Sequence, residues 1–385
     1  MNMKTPLPKK KLRIGVIFGG QSGEHAVSLM SAQSVIAALD REKYDIISIG
    51  ISQEGHWITG NAFAALSSGE AGSRPAALLP DPEISALMQI EQSETASKGL
   101  SVVTELDVVI PILHGTYGED GTVQGLLELA GLPYVGAGVV GSAVGMDKAI
   151  FKYVMMANGI PVLPWLLVIN SAWEERPSAV IDEIEAKLTY PVFTKPANLG
   201  SSVGISKCTN QAELLAGIIG AFRYDRRIVV EQGINVRELE VAVLGNEDPE
   251  ASIVGEIRPR RDFYDYYAKY VAGPGSEDES ELLIPANISQ EMSDEVRTLA
   301  VQAYKAIDCA GMGRVDLLLD KEGGNLYLNE INTIPGFTQI SMYPKLWEAS
   351  GLSYSQLLDR LINLALERRE IKRKLATSFA VNGEV

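Results

Sequence analysis

Residues 312–336, MGRVDLLLDKEGGNLYLNEINTIPG, constrain how this chain can fold more than any other stretch. Residues 315–319 are apolar except for Asp316, 322–325 (EGGN) form turns readily, and 326–332 alternate apolar with polar. That order specifies a β-hairpin. Side chains alternate along a strand, so Arg314, Asp316 and Leu318 are expected on one face. Leu328, Glu330 and Asn332 are expected together on one face of the partner strand. A loop of about four or five residues sets Asp316 opposite or nearly opposite Glu330, with Cβ atoms within roughly 5 Å. Carboxylates that close repel unless a cation or a proton joins them. With Asn332 they offer three oxygen donors, a set suited to Mg2+. Taken alone, the hairpin fits a solvated acidic surface as readily as a metal site.

The chain has 385 residues, enough for two or three domains with buried cores. Its net charge of −15 argues against a general nucleic-acid or anionic-membrane surface. An anionic ligand stays compatible, because local lysines or a metal reverse the field inside one cleft. Cys208 and Cys309 are too few for a disulfide framework, which indicates a reducing compartment. The apolar stretch 14–18 after the basic N-terminus is too short for a signal-peptide core. No run approaches the ~18 apolar residues of a membrane span. A cytoplasmic protein is expected.

Residues 13–18, 44–52 and 106–113 read as strands; 27–39 and 122–130 read as helices, the second closed by Gly131 and Pro133. Alternating strand and helix imply an open, mostly parallel sheet with ligands at the carboxyl ends of its strands. Segments 19–24 and 114–120 therefore fall on the functional edge. Residues 65–100, rich in Ser, Ala, Glu and Pro, read as a surface insertion with one short helix. A second unit combines helices at 147–157 and 211–222 with strands at 190–195, 205–208 and 228–231. A third holds strands at 238–244 and 252–257, a helix near 294–308 and the hairpin. A last helix from 353 leads into a fraying tail beyond 376.

GGQSGEHAVS (19–28) follows a strand and opens a helix, but its glycines break the G-x-G-x-x-G order of dinucleotide sites. What remains is a tight turn exposing Glu24, Ser28 and a helix N-terminus. Glu24 there is either a helix-start carboxylate or a ligand contact. LGSSVGIS (199–206) lacks the ending of a P-loop, yet Gly200, Ser201, Ser202 and Gly204 can present N–H groups and hydroxyls to phosphate. The alternative is an ordinary hairpin loop. Lys195 ends an apolar strand, where a buried cation needs an anionic partner. IVVEQGI (228–234), with Glu238 beyond it, fits a purine-binding hinge with a ribose carboxylate, or a plain core strand. RRDFYDYYAKY (260–270) fits a lid or an aromatic edge strand. Gly336, in a Pro-Gly turn, can put an N–H near Arg314, a pairing suited to an oxyanion.

In order, GGQSGEHAVSLMS, HGTYGEDGTVQG, LPYVGAGVVGSAVGMDK, FTKPANLGSSVGISK, EQGINVRELEVAVLGN, FYDYYAKY, GRVDLLLD and LNEINTIPGFTQISMYPKL resemble the D-alanine–D-alanine ligase family of the ATP-grasp superfamily. The resemblance runs from Gly15 to about Leu364, leaving out the 65–100 insertion and the tail. It implies a mixed α/β and α+β architecture. An N-terminal open parallel-sheet, Rossmann-like domain (1–145) precedes ATP-grasp subdomains at 146–237 and 238–370, and a tail follows (371–385). ATP would lie between those subdomains, with Lys148, Lys195, Ser201 and Ser202 at its phosphates. Glu231, Gln232 and Ile234 resemble the adenine hinge, Glu238 the ribose carboxylate, and Phe263 and Lys269 the lid's contacts with nucleotide. Gln232 stands where lysine is common. Asp316, Glu330 and Asn332 would hold two Mg2+, with Mn2+ able to substitute.

The reaction implied joins two D-alanines through an acylphosphate, for peptidoglycan precursors. Glu24 would hold the first substrate's ammonium, with His114 nearby. Arg314 and the Gly336 N–H would stabilise the oxyanion, and Ser341 and Arg314 would receive the second carboxylate beside Met342, where leucine is usual. Ser201, Tyr270 and Glu24 would bridge the closed lid, since an acylphosphate open to water hydrolyses. Ligases that join D-alanine to D-lactate commonly carry His or Phe in place of Tyr270, so the tyrosine favours a dipeptide. The competing readings are such a D-lactate ligase, another ATP-grasp carboxylate–amine ligase, and a degenerate binding protein. The last is expected to have lost a metal ligand or Arg314, and none is missing. The resemblance also implies a homodimer through the N-terminal domain, with no nucleic-acid or membrane partner.

Overall fold

A computed structural model describes residues 10–91, 99–258 and 280–376. The first unit is built around β1 (Leu12–Gly19), whose Ile14, Val16, Ile17 and Phe18 are fully buried. After α1 (His25–Ala38) and β2 (Tyr44–Ile51) come β3 (Trp57–Gly60), α2 (Ala62–Ser68), β4 (Ser73–Leu78), β5 (Ala86–Glu91), β6 (Gly99–Glu105), β7 (Val108–Ile112) and α3 (Thr122–Leu129). The seven strands form one sheet in the order β6-β5-β4-β3-β2-β1-β7. β1 pairs in parallel with β2 and β7, as the alternation of strand and helix requires. From β2 outward the sheet becomes antiparallel through β3 to β6. The 65–100 segment is therefore not a surface insertion with one helix. It supplies β4, β5 and the start of β6, and Ala76, Leu78, Leu87 and Met88 are buried.

Two short helices, α4 (Val139–Met146) and α5 (Lys148–Ala157), lead into the second unit: β8 (Trp165–Ile169), α6 (Asn170–Glu175), α7 (Pro177–Lys187), β9 (Val192–Pro196), β10 (Ser206–Cys208), α8 (Gln211–Ala221) and β11 (Arg227–Gln232). Its antiparallel sheet runs β10-β9-β11-β8. Alternation gives this sheet two different faces. Ile228 and Val230 of β11 pack with Ile181, Ile184, Leu214 and Ile218 of α7 and α8. Val229 and Glu231 take the opposite face, in register with Lys195 and Phe193 of β9.

The third unit comprises β12 (Val236–Gly245), β13 (Glu250–Arg258), β14 (Glu281–Leu283), α9 (Gln290–Ala306), β15 (Gly311–Asp320), β16 (Leu326–Asn332), α10 (Met342–Ala349) and α11 (Tyr354–Arg373). Its sheet runs β14-β13-β12-β15-β16, antiparallel throughout. Leu239, Val241, Val315, Leu317 and Leu328 face α9, where Val296, Ala300 and Tyr304 are fully buried. The other face packs Ala242, Leu244 and Met312 with α10 and α11. Further along it turns polar, at Glu240 and Arg314. α11 also ties this unit to the first: Arg368 donates to the carbonyls of Gly136 and Tyr134, and Asp359 accepts from Lys43 and Tyr44.

The expected two-faced hairpin can be tested at adjacent residues. Leu317→Ala, at a fully buried position, is expected to cost about 2–5 kcal/mol, and Leu318→Ala, on the cleft face, about 1 kcal/mol or less. Equal losses of urea stability would contradict the facing.

Candidate active site

A cleft of about 2280 Å³ opens between the three units. Pockets for one small ligand are commonly about 300–1,000 Å³, so more than one substrate fits. Of the expected site residues that are described, all but Asp316 line it. Phe263, Lys269 and Tyr270 lie outside the described residues.

On one wall, the Asp147 side chain caps α5 by accepting from the N–H groups of Ala149 and Ile150 at 3.1 and 3.0 Å. It also pairs with Arg227 of β11, which fixes the helix against that sheet. Lys148, the first residue of α5, donates to the Leu199 carbonyl at 2.6 Å and so draws in the serine loop. Ser201 and Ser202 have φ of 51° and 58°, a left-handed region that non-glycine residues enter at a cost. There the Ser201 hydroxyl donates to Glu24, 177 positions away in sequence. Glu24 makes no capping bond to α1 and is 7% exposed. It stands at the start of α1, as the helix-start explanation has it, and its carboxylate also reaches across the cleft to Ser201.

Behind this loop lies a buried chain of charge. Glu231 is 2% exposed; its Oε1 accepts from Lys195 at 2.5 Å, and its Oε2 pairs with Lys152. Burial pushes the carboxyl up, but the two ammoniums outweigh it and hold Glu231 at about 2. Lys195 thus has the anionic partner its position demanded. Gln232 turns its side chain away: it donates to the carbonyls of Thr189 and Gly233 at 2.7 and 2.9 Å, and accepts from the Thr189 N–H at 2.9 Å. Its side chain is tied at both ends, and its backbone N–H donates to the Pro164 carbonyl at 2.9 Å.

The opposite wall comes from the parallel strands. Ser28 is fully buried rather than exposed, accepting from the Gly19 N–H and donating to the Ile112 carbonyl, so it welds β1 to β7. His114 faces the Ile334 carbonyl with Nδ1 at 2.9 Å and Ser31 Oγ with Nε2 at 3.2 Å. A carbonyl only accepts, so Nδ1 carries the proton and Nε2 accepts from Ser31. Burial lowers the imidazole pKa, which keeps it neutral. Glu119 accepts from the N–H groups of Gly115 and Ile334 at 2.8 and 3.0 Å, tying the two loops together. Gly115, at φ 76°, is required here: a Cβ would lie 2.5 Å from Glu24 and 2.7 Å from Ser22.

The third wall is the hairpin. Asp316 stands opposite Glu330 and Arg314 opposite Asn332; the register at the loop, Leu319 opposite Leu326, would set Asp316 opposite Asn329, beside Glu330, and a one-residue shift brings Glu330 directly opposite. On the other side, Glu240 of β12 is in register with Asp316. Three carboxylates thus form one row, and among the described residues Arg314 lies between two of them: Nε and Nη2 reach Asp316 at 2.7 and 2.6 Å, and Nε lies 3.1 Å from Glu240. One expectation fails. A bulge at Asn329 breaks the period of two, so Leu328 faces the core while Asn329 and Glu330 both line the cleft. The donor set still fits a hard cation. Asn332 donates its amide N–H to Asp316 at 3.0 Å, which leaves its oxygen for another partner. At the adjoining turn, Ser341 accepts from the Thr338 N–H at 3.1 Å, a Cβ on Gly336 would lie 3.2 Å from the serine hydroxyl, and Met342 packs into the core.

Lys152, Glu119 and Glu240 escaped the sequence reading. Lys152 is four residues past Lys148, on the same helix face. Glu240 is two past Glu238, on the same strand face. Glu119 had no comparable signal, because its burial depends on Ile334, 215 positions away.

Burial and the neighbouring charge of Glu24 push the Glu119 carboxyl up to about 8. The folded state therefore holds a proton that the unfolded chain releases near its ordinary value, and stability falls as pH rises from about 4.5 to 8. Glu119→Gln carries a constant cost from one mismatched N–H but lacks this slope. Its stability relative to the parent is expected to improve by roughly 1 kcal/mol per pH unit across that window. Parallel curves of unfolding free energy against pH would contradict it.

Two family descriptions match the chain: D-ala D-ala ligase N-terminus over residues 13–137 and D-ala D-ala ligase C-terminus over 154–363. The D-alanine–D-alanine ligase of Heliobacterium modesticaldum is 52% identical over 370 residues, covering 95% of this chain and 98% of that one. That of Natranaerobius thermophilus is 47% identical over 374 residues, covering 96% and 99%. Among solved structures, the D-alanine–D-alanine ligase from Coxiella burnetii has a TM-score of 0.78 at 37% identity, covering 95% of this chain and 97% of that one. The VanG D-Ala:D-Ser ligase from Enterococcus faecalis scores 0.80 at 37% identity, covering 92% and 100%. The likeness runs through all three walls of the cleft, and the chain belongs to the D-alanine–D-alanine ligase family.

Proposed function

We infer that this chain joins two D-alanine molecules to D-alanyl-D-alanine with ATP, through D-alanyl phosphate, releasing ADP and phosphate for cell-wall synthesis. One observation carries the reading. A single cleft brings lysines from the second unit, a carboxylate row from the third and Glu24 from the first within reach of one another, on a chain 52% identical to a D-alanine–D-alanine ligase.

In the mechanism, Lys148 and Lys195 hold the phosphates of ATP, with the Ser201–Ser202 loop over them. Ile234 and the hinge backbone, together with Glu231, hold the adenine, and Glu238 the ribose. Glu24 holds the ammonium of the first D-alanine, beside neutral His114, so that its carboxylate faces the γ-phosphate. The second D-alanine docks its carboxylate on Ser341 and Arg314, beside Met342, and its amine attacks the acylphosphate carbonyl. Arg314 and the Gly336 N–H stabilise the resulting oxyanion. The family uses a divalent metal; Asp316, Glu330 and Asn332 would hold it, two Mg2+ ions with Mn2+ as a substitute, and it neutralises charge on the transferred phosphoryl group. Tyr270, Lys269 and Phe263 belong to the lid in this reading.

Among the described residues no helix is long and apolar enough to cross a membrane. The proposal includes a cytoplasmic location, a homodimer formed through the first unit, and domain boundaries near 145, 237 and 370.

D-Alanine is expected to trigger phosphate release from ATP, with L-alanine and D-lactate giving much less, and mass spectrometry should find the dipeptide. Preferential turnover of D-serine or D-lactate as second substrate would overturn the assignment. Glu330→Gln removes a metal charge at a half-exposed position, so ligase activity should fall about 100-fold or more while the melting temperature stays near the parent's. Parental turnover in that variant would remove Glu330 from the metal site.

A further inference from the structure

Lys152 has no role in the mechanism above, yet it is an ammonium only 2% exposed. Lys148 and Lys152 are one turn apart on α5 and project from the same side. Lys148 reaches the serine loop; Lys152 ends on Oε2 of Glu231. The two lysines on Glu231 differ in setting. Lys195 lines the cleft with 15% of its side chain exposed, whereas Lys152 keeps 3% and lies behind the wall. A buried ammonium is costly unless paired. Burial, with the neighbouring Lys195 ammonium, lowers the affinity of Lys152 for its proton, and Glu231, with Glu330 further off, opposes that. A glutamate held only by the flexible stem of Lys195 could turn about its side-chain bonds. Held at both oxygens, it cannot.

We propose that Lys152 is a positioning residue for nucleotide selection: by gripping Oε2 from the interior, it fixes Oε1 of Glu231 as an acceptor facing the cleft. That acceptor matches a 6-aminopurine, whose exocyclic amine donates. A 6-oxopurine turns an oxygen lone pair toward the carboxylate and is disfavoured. The inference rests on the reading of Glu231 as an adenine contact.

The test measures kcat and KM with ATP and with GTP for the full-length parent, Lys152→Met, Lys152→Gln and Glu231→Gln. In Lys152→Met, KM for ATP should rise about tenfold or more and the ATP-over-GTP preference in kcat/KM should fall about fivefold or more, with KM for D-alanine within about twofold. Lys152→Gln keeps a donor for Oε2 and should recover part of the preference. Glu231→Gln, whose amide can donate to a 6-oxo group, should also narrow it. If Glu231→Gln narrows the preference but a folded Lys152→Met keeps both parental values, Lys152 is only structural and this inference alone fails. If Glu231→Gln leaves the preference intact, the adenine reading fails and the inference with it. Should Lys152→Met not fold, Lys152→Gln decides by the same two quantities.

Discussion

Backbone pairing among β12, β15 and β16 sets Glu240, Asp316 and Glu330 side by side, and such a row holds together only with positive charge inside it. Arg314 supplies that charge from two residues along the same strand as Asp316. Register thus does two jobs at once. It sets these oxygens side by side, and it delivers the guanidinium that makes them tolerable to one another. The core depends on the same register, because Val315 and Leu317 alternate with these polar residues and pack on α9.

The second unit mirrors this with charges reversed. One carboxylate, Glu231, lies between two ammoniums, so that wall carries excess positive charge while the hairpin wall carries excess negative charge. The cleft between them thus has lysines on one side and a row of carboxylates on the other. The overall charge of −15 says nothing of this, because fields inside a low-dielectric cleft follow the nearest groups. Glu24 closes the arrangement from the third side through Ser201, which lets the first and second units share one charged site.

Much of this was legible in the sequence, wherever a short-range rule governs. The hairpin, with Asp316 opposite or nearly opposite Glu330, followed from the turn and the alternation, and the parallel β2-β1-β7 core followed from alternating strand and helix. The partner demanded by Lys195 followed from the cost of a buried charge. Features set by distant contacts stayed hidden. The strands between 73 and 105 are individually weak and gain their place only by adding to an existing antiparallel edge. The Asn329 bulge leaves no mark in a pattern that looks regular. Glu119 is buried because Ile334 folds over it. Ser28 looked like an exposed helix-start hydroxyl, and only the adjacency of β1 and β7 explains its burial.

The account stands or falls on whether the hairpin row binds metal in the presence of nucleotide. The direct measurement is a Mn2+ titration of the ADP-loaded protein by electron paramagnetic resonance, comparing the parent with Asp316→Asn. The account expects the substitution to weaken Mn2+ by at least the ~10-fold that loss of even an outer partner of a metal site costs, with circular dichroism unchanged. Parental Mn2+ affinity in a folded Asp316→Asn protein would contradict it.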